Sequence, residues 1–343
     1  MKKKWKCCLC FLVLPVLFVA FSPSGASASA ISNMSLEEKV GQIMMCFFEV
    51  SSLSPHLERV ITEMKAGGVI LYSSRGNIRT TEQVAELVEN IQKKAAMANS
   101  WPLFIAVDQE GGLVNRINEG TTLFPGNMAL GASGDERLAA RVAGIMAEEL
   151  SAMGINVNFA PVVDVNNDPR NPIIGVRSFG SSPELVSRLG RAMISGFLEK
   201  GVLPCAKHFP GHGNTGIDSH TGLPVISSSM QDLNDTELPP FRAAIEAGVP
   251  MIMTAHVLVP ALDLERPGTL SPNILGMLRN EMGFSGIIVT DSMGMGALEK
   301  GWGMIRAAIE AFNAGADILL FGADRGHLED EHPMVFKAIL EAC

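Results

Sequence analysis

Residues 203–220 read Leu-Pro-Cys-Ala-Lys-His-Phe-Pro-Gly-His-Gly-Asn-Thr-Gly-Ile-Asp-Ser-His. The first four form a short apolar run of the kind that becomes a buried strand. Past Phe209 a Pro-Gly pair, then Gly213 and Gly216, break regular structure. Lys207 and His208 stand at the junction, and the loop adds His212, Asp218 and His220. Titratable side chains therefore gather where a strand gives way to a loop, which is where α/β enzymes keep their chemistry. A lone loop histidine is most often a hydrogen-bonding residue, but a cluster this dense reads as an acid–base site. Three imidazoles raise the question of zinc. No His-Glu-x-x-His or paired Cys-x-x-Cys spacing accompanies them, so no metal and no cofactor is expected.

Working outward, eight short apolar runs alternate with longer amphipathic segments. Strands are predicted at 42–47, 68–72, 103–107, 156–163, 203–207, 250–255, 287–290 and 317–321. The runs are continuous, not alternating, as parallel strands buried on both faces require. Helical periodicity occupies 81–98, 135–153, 184–200 and 238–247. Glycine stands just before a strand at Gly67, Gly154, Gly201, Gly248 and Gly315, where it can supply a left-handed helix cap. Eight strand–helix units predict a (β/α)8 barrel forming a single α/β domain over 31–343. A doubly wound open sheet is the alternative. Neither a P-loop nor Gly-x-Gly-x-x-Gly follows an early strand, which counts against a nucleotide fold.

The predicted strands end in charged residues: Asp108, Asp164, Lys207 with His208, His256 and Asp291. Each alone could be a strand-end cap or ion pair. In a barrel, these ends converge on one face, and five coincidences at the same relative position favour a shared pocket.

The Lys-His-Phe-Pro-Gly-His-Gly run, four free positions and Asp-Ser-His resemble the signature of glycoside hydrolase family 3, in its β-N-acetylhexosaminidase branch. The similarity extends from about Met34 to Leu320. Residues 289–296, Val-Thr-Asp-Ser-Met-Gly-Met-Gly, resemble the family's nucleophile segment. The resemblance implies a retaining β-N-acetylhexosaminidase. Asp291 would form a covalent glycosyl intermediate, and an Asp218–His220 dyad would act as acid and base. Ser292 stands where many relatives carry a second acidic residue. Residues alone do not choose between His212 and His220 as the proton carrier. Asp108, Lys207 and His208 are candidates to hydrogen-bond sugar hydroxyls and the amide. Family resemblance adds Arg116 and Arg177, each of which could equally be a plain salt bridge. Glu110, followed by two glycines, reads as a turn residue; Asp164 and His256 read as supports for the site.

The implied substrate is an amino-sugar oligosaccharide or muropeptide. Rival readings on the same scaffold are a β-glucosidase, an acetylglucosamine phosphorylase and a sugar-binding barrel without catalysis. A fourth is an aldolase using Lys207 in a Schiff base.

Residues 1–30 have a basic start, an apolar stretch from Cys7 to Phe21 and small-residue cleavage sites at Ala26-Ser27-Ala28 and Ala28-Ser29-Ala30. That is the pattern of a secretory signal peptide, implying an extracytoplasmic protein with no membrane span in the mature chain. Lys2, Lys3, Lys4 and Lys6 are four of 27 basic residues; without them, against 36 acidic ones, the formal charge is near −13. Such a surface repels nucleic acid and anionic lipid. A monomer is expected. Cys46, Cys205 and Cys343 are too scattered for a disulfide framework. The chain stops at Cys343, soon after the eighth strand, where relatives usually continue, so a truncated sequence is expected.

Overall fold

The computed structural model describes residues 31–98, 100–323 and 329–343; the expected leader, 1–30, lies outside the described residues. Two units are distinguished, Met1–Ser35 and Leu36–Cys343. Of the first, only 31–35 are described, with Ile31 and Ser32 helical. The second is an eight-stranded parallel barrel.

Its strands are β1 Met44–Phe47, β2 Gly68–Ile70, β3 Phe104–Val107, β4 Val157–Asn158, β5 Leu203–Phe209, β6 Met251–Thr254, β7 Ile287–Val289 and β8 Leu319–Phe321. They lie side by side in chain order, and β8 returns to pair with β1, Met44 opposite Leu319. The last seam is closed by the parallel bridge Val289–Ile318 and by Thr290 N–H donating to Ile318 O at 2.9 Å. A barrel closed in this way is the expected architecture, and the open sheet is set aside.

The unbroken apolar runs are explained by two cores. Met45, Phe47, Ile70, Ala106, Val157, Cys205, Met251 and Val289 fill the barrel interior. Their strand neighbours, such as Met44, Cys46, Val69, Ile105 and Ile252, pack outward against the helices. Because side chains alternate across a strand, both sets must be apolar. Cys205 is a small packing residue in the inner core, and burial pushes its thiol pKa up.

The helices begin where short polar side chains can cap them. Ser54 accepts from Leu57 N–H ahead of α1 (Pro55–Thr62), and Thr80 accepts from Gln83 N–H ahead of α2 (Thr81–Met97). Asp135 caps α3 (Glu136–Ala152) and Ser182 caps α4 (Pro183–Glu199). Gly154, Gly201, Gly248 and Gly315 have positive φ, as helix-ending glycines do. Gly67 differs. Lys65, at φ 54, takes the left-handed conformation there, while a Cβ on Gly67 would lie 2.1 Å from Gln42 O. That glycine serves close backbone approach, not capping.

Two strands depart from expectation. The predicted strand 156–163 pairs regularly only over Val157–Asn158, because Pro161 has no N–H to give the ladder; beyond it Val162 bridges Lys207. Pairing of β5 with β6 shifts register between Lys207 and Phe209, which leaves His208 outside the ladder. Ala160–Pro161, Lys207–His208 and Phe209–Pro210 are cis peptides. Among the described residues, no helix is long and apolar enough to cross a membrane.

Candidate active site

A cavity of about 640 Å³ opens at the C-terminal ends of the strands. Asp108, Arg116, Arg177, Lys207, His208, Asp218, His220 and Asp291, the residues singled out from the sequence, all line it. Lys207 and His208 stand on β5 itself and the others arrive from the segments after β3, β4, β5 and β7, separated by up to 183 positions between Asp108 and Asp291. Only the common direction of the strands brings them together.

One wall is a buried ion cluster. Lys207 Nζ lies 2.8 Å from Asp108 Oδ1 and 2.7 Å from Glu110 Oε1. Arg177 grips Glu110 with two bonds, Nε to Oε2 at 2.9 Å and Nη2 to Oε1 at 2.8 Å. Arg116 reaches Asp108 Oδ2 at 3.4 Å and lies over the Tyr72 ring. Burial alone would raise the Glu110 pKa, but Arg177 and Lys207 outweigh it and hold the carboxyl well below its usual range. Burial would likewise lower Lys207; Asp108 and Glu110 overcome this and raise it. The lysine is thus an ammonium with fixed geometry.

Behind this wall, Asp164 is fully buried and organises two histidines. His208 Nδ1 is 2.7 Å from Asp164 Oδ2, and His212 N–H donates to Oδ1 at 2.7 Å. The His212 ring is buried, with Nε2 3.0 Å from Ser219 Oγ. Burial, then the neighbouring His208, pushes its pKa down to about 4. A neutral imidazole packed in this way is poorly suited to donating a proton at neutral pH.

His220 is placed differently. Its ring is half exposed, and Nδ1 is 2.8 Å from Asp218 Oδ1. Asp218 Oδ1 also accepts from His220 N–H at 2.9 Å. Partial burial raises the Asp218 pKa less than these bonds lower it, so its carboxylate is ionised near neutral pH. With Nδ1 engaged, Nε2 is the ring nitrogen available to a ligand. The loop is tied to the segment after β7: Ala297 N–H donates to Ser219 O at 3.0 Å, and Lys300 Nζ to Thr221 O at 3.0 Å.

Asp291 follows β7 after one residue, Thr290. Burial raises its pKa, but His208, His256 and His220 together pull it below the ordinary value. Ser292 N–H donates to Asp291 Oδ1 at 2.8 Å, Ser292 Oγ accepts from Gly322 N–H at 2.9 Å, and His256 Nε2 lies 2.8 Å from Ser292 O. Serine at 292 therefore provides an acceptor to the start of the next loop.

Glu110, read from the sequence as a turn residue, belongs to the cavity wall. Gly111 and Gly112, at φ 88 and 62, do make the turn, but the turn carries the Glu110 carboxylate inward onto Arg177. Tyr72 also lines the cavity and was not singled out. It follows β2, so the rule of inspecting strand ends would have found it. Among the described residues, no group of three His, Cys, Asp or Glu side chains could hold a metal ion.

Residues 35–340 match the glycosyl hydrolase family 3 N-terminal domain. Beta-hexosaminidase A from Pseudoalteromonas piscicida is 44% identical over 293 residues, covering 80% of this chain and 49% of that protein. A family 3 beta-N-acetylglucosaminidase structure from Paenibacillus sp. str. FPU-7 superimposes with TM-score 0.87 at 46% identity, over 90% of this chain and 58% of that one. NagZ from Neisseria gonorrhoeae, in complex with N-trifluoroacetyl-D-glucosamine, gives TM-score 0.75 at 32% identity, over 88% and 84%. The chain thus spans about half the length of the first of these relatives. The matched region takes in all eight strands and every cavity residue named above, and the chain belongs to glycosyl hydrolase family 3.

Proposed function

We propose that this chain is a retaining β-N-acetylhexosaminidase that removes terminal β-linked N-acetylglucosamine from peptidoglycan- or chitin-derived fragments. One observation carries the reading: the cavity holds a rigid strand-end carboxylate, Asp291, together with a half-exposed Asp218–His220 pair on a separate loop. The carboxylate suits nucleophilic attack on the anomeric carbon, and the pair suits proton transfer. In the first step His220 Nε2 protonates the departing oxygen while Asp291 forms the glycosyl ester. In the second, His220 takes a proton from water, and the water displaces Asp291. Asp218 orients the ring through its contact with Nδ1. Asp108, Arg116, Arg177, Lys207 and His208 are assigned to the sugar hydroxyls and acetamide. The names of the relatives support the amino-sugar preference. The basic and apolar N-terminal sequence supports export.

The aldolase reading requires a neutral lysine amine, and two carboxylates hold Lys207 as an ammonium. Trapping with a 5-fluoro acetylglucosaminide, followed by peptide mapping, tests the proposal. Label is expected on the peptide containing Asp291; label elsewhere would overturn the nucleophile assignment. Equal kcat/KM on aryl glucosides and aryl acetylglucosaminides would favour the β-glucosidase reading instead. Phosphate-dependent formation of sugar 1-phosphate would favour the phosphorylase.

A further inference from the structure

We infer that His256 is a positioning residue for Asp291, held in one tautomer by Thr269 and Thr254. All three side chains are fully buried. His256 Nε2 lies 2.8 Å from Ser292 O, and its Nδ1 lies 2.8 Å from Thr269 Oγ1. Thr269 Oγ1 in turn lies 2.7 Å from Thr254 Oγ1.

The proton order follows from chemistry. A carbonyl oxygen can only accept, so Nε2 carries the hydrogen. Burial disfavours the charged ring and, set against the nearby Asp291 carboxylate, still lowers the His256 pKa. A neutral ring with Nε2–H has a lone pair at Nδ1, so the Thr269 hydroxyl must donate there. Having one hydrogen, Thr269 then accepts from Thr254. Thr269 Oγ1 also lies 3.1 Å from Ala255 O, but that carbonyl already accepts from Thr269 N–H at 3.2 Å, and the single hydroxyl hydrogen goes to the nearer acceptor, His256 Nδ1 at 2.8 Å. The chain then runs Thr254 to Thr269 to His256 to Ser292 O.

The end of that chain is the backbone beside the nucleophile. Ser292 is fixed at three atoms: its carbonyl by His256, its hydroxyl by Gly322 and its N–H by Asp291 Oδ1. Neighbouring Met293 N–H is held by Leu320 O at 2.8 Å. The clamp from β8 secures one side of this turn and His256, following β6, secures the other. Without the imidazole, Ser292 O loses a buried partner, and the Asp291 carboxylate loses its fixed aim at the anomeric carbon.

The role of His256 rests on the reading of Asp291 as the nucleophile, so the experiment separates the two. Wild type, His256→Phe and His256→Gln are compared by steady-state kinetics on an aryl acetylglucosaminide, 5-fluoro-sugar mapping and thermal melting. Phe removes the donor, whereas Gln returns an N–H near the Nε2 position. Expected for His256→Phe is a loss in kcat of about 10–100-fold with KM little changed. His256→Gln should recover most of the loss. Label away from Asp291 in wild type would refute the nucleophile reading. Label on Asp291 combined with wild-type kcat in His256→Phe would refute the positioning role alone, as would equal kcat loss in Phe and Gln. If His256→Phe does not fold, Thr269→Val against Thr269→Ser gives the same contrast: Val should lower kcat, Ser should keep it, and wild-type kcat in Val would refute the role.

Discussion

Gly296 packs so closely against His220 that a Cβ at this position would lie 2.6 Å from the His220 carbonyl oxygen. The contact joins the loop after β5, which carries the Asp218–His220 pair, to the segment after β7, which carries Asp291. Gly296→Ala is expected to displace the His220 loop, since backbone cannot give way as a flexible side chain can. Activity on natural disaccharides should fall about 10-fold or more, as misplaced catalytic groups cost. The thermal midpoint should change little, because the loop is peripheral to both cores. Unchanged disaccharide kinetics would show that this approach does not set the loop.

His220→Ala should slow natural disaccharides severely and nitrophenyl glycosides much less in the glycosylation step. A sugar hydroxyl needs a proton to depart, and a nitrophenolate does not. Deglycosylation then limits turnover of the aryl substrate, and its KM should fall. Asp218→Ala should show the same pattern more weakly. Leaving-group dependence in His212→Ala instead would transfer the role to the buried imidazole.

Lys207→Met should destabilise the fold by about 3–5 kcal/mol in urea titration, since two buried carboxylates lose their shared partner. Lys93→Met, which breaks an exposed pair with Glu89, should cost less than about 1 kcal/mol. Equal effects would mean that the cluster is solvated well enough to screen its charges.

Stability should decline as pH falls from about 6.5 towards 4.5, ahead of any carboxylate effect. His212 has a folded pKa of about 4, below the unfolded value. Its contribution is fully present above the unfolded pKa and is lost as pH falls, because the unfolded chain binds a proton that the fold refuses. His56 and His256, also lowered, act with the same sign. Asp108, Glu110, Asp164 and Asp291 are depressed carboxylates, and their contribution is lost only below about pH 4. His212→Asn should reduce the slope by up to about 1.4 kcal/mol per pH unit. Urea midpoints at three pH values would measure this, and an unchanged slope would show that His212 is not held neutral.

The barrel was legible in the sequence because inner and outer cores both demand apolar strands, and because charged residues at the ends of five strands mark the mouth. Asp108, Lys207 and Asp291 were visible for that reason. Glu110 was hidden because its direction depends on the turn at Gly111 and Gly112, and periodicity carries no information about which way a turn faces. The short pairing of β4 was masked in a similar way: hydrophobicity continues through Val162 and Val163, while the ladder fails at Pro161 for want of one N–H. Lys65 in the left-handed region was invisible too, since Gly67 beside it looked the better cap. Burial of His212 against exposure of His220 was likewise illegible, as both lie in one loop of uniform composition.

Closure of the barrel between β8 and β1 has a kinetic consequence. It pairs Met44 with Leu319, nearly the whole chain apart, and the same β8 with the residue on either side of it supplies Ile318, Leu320 and Gly322 as partners to Thr290, Met293 and Ser292. Pairing over so long a stretch of chain forms more slowly than local helices and adjacent strand pairs. The carboxylate of Asp291 takes up its setting only with that final zippering. During refolding from urea, helical circular dichroism should therefore return before hydrolysis does, and the lag between them would time the arrival of the last strand.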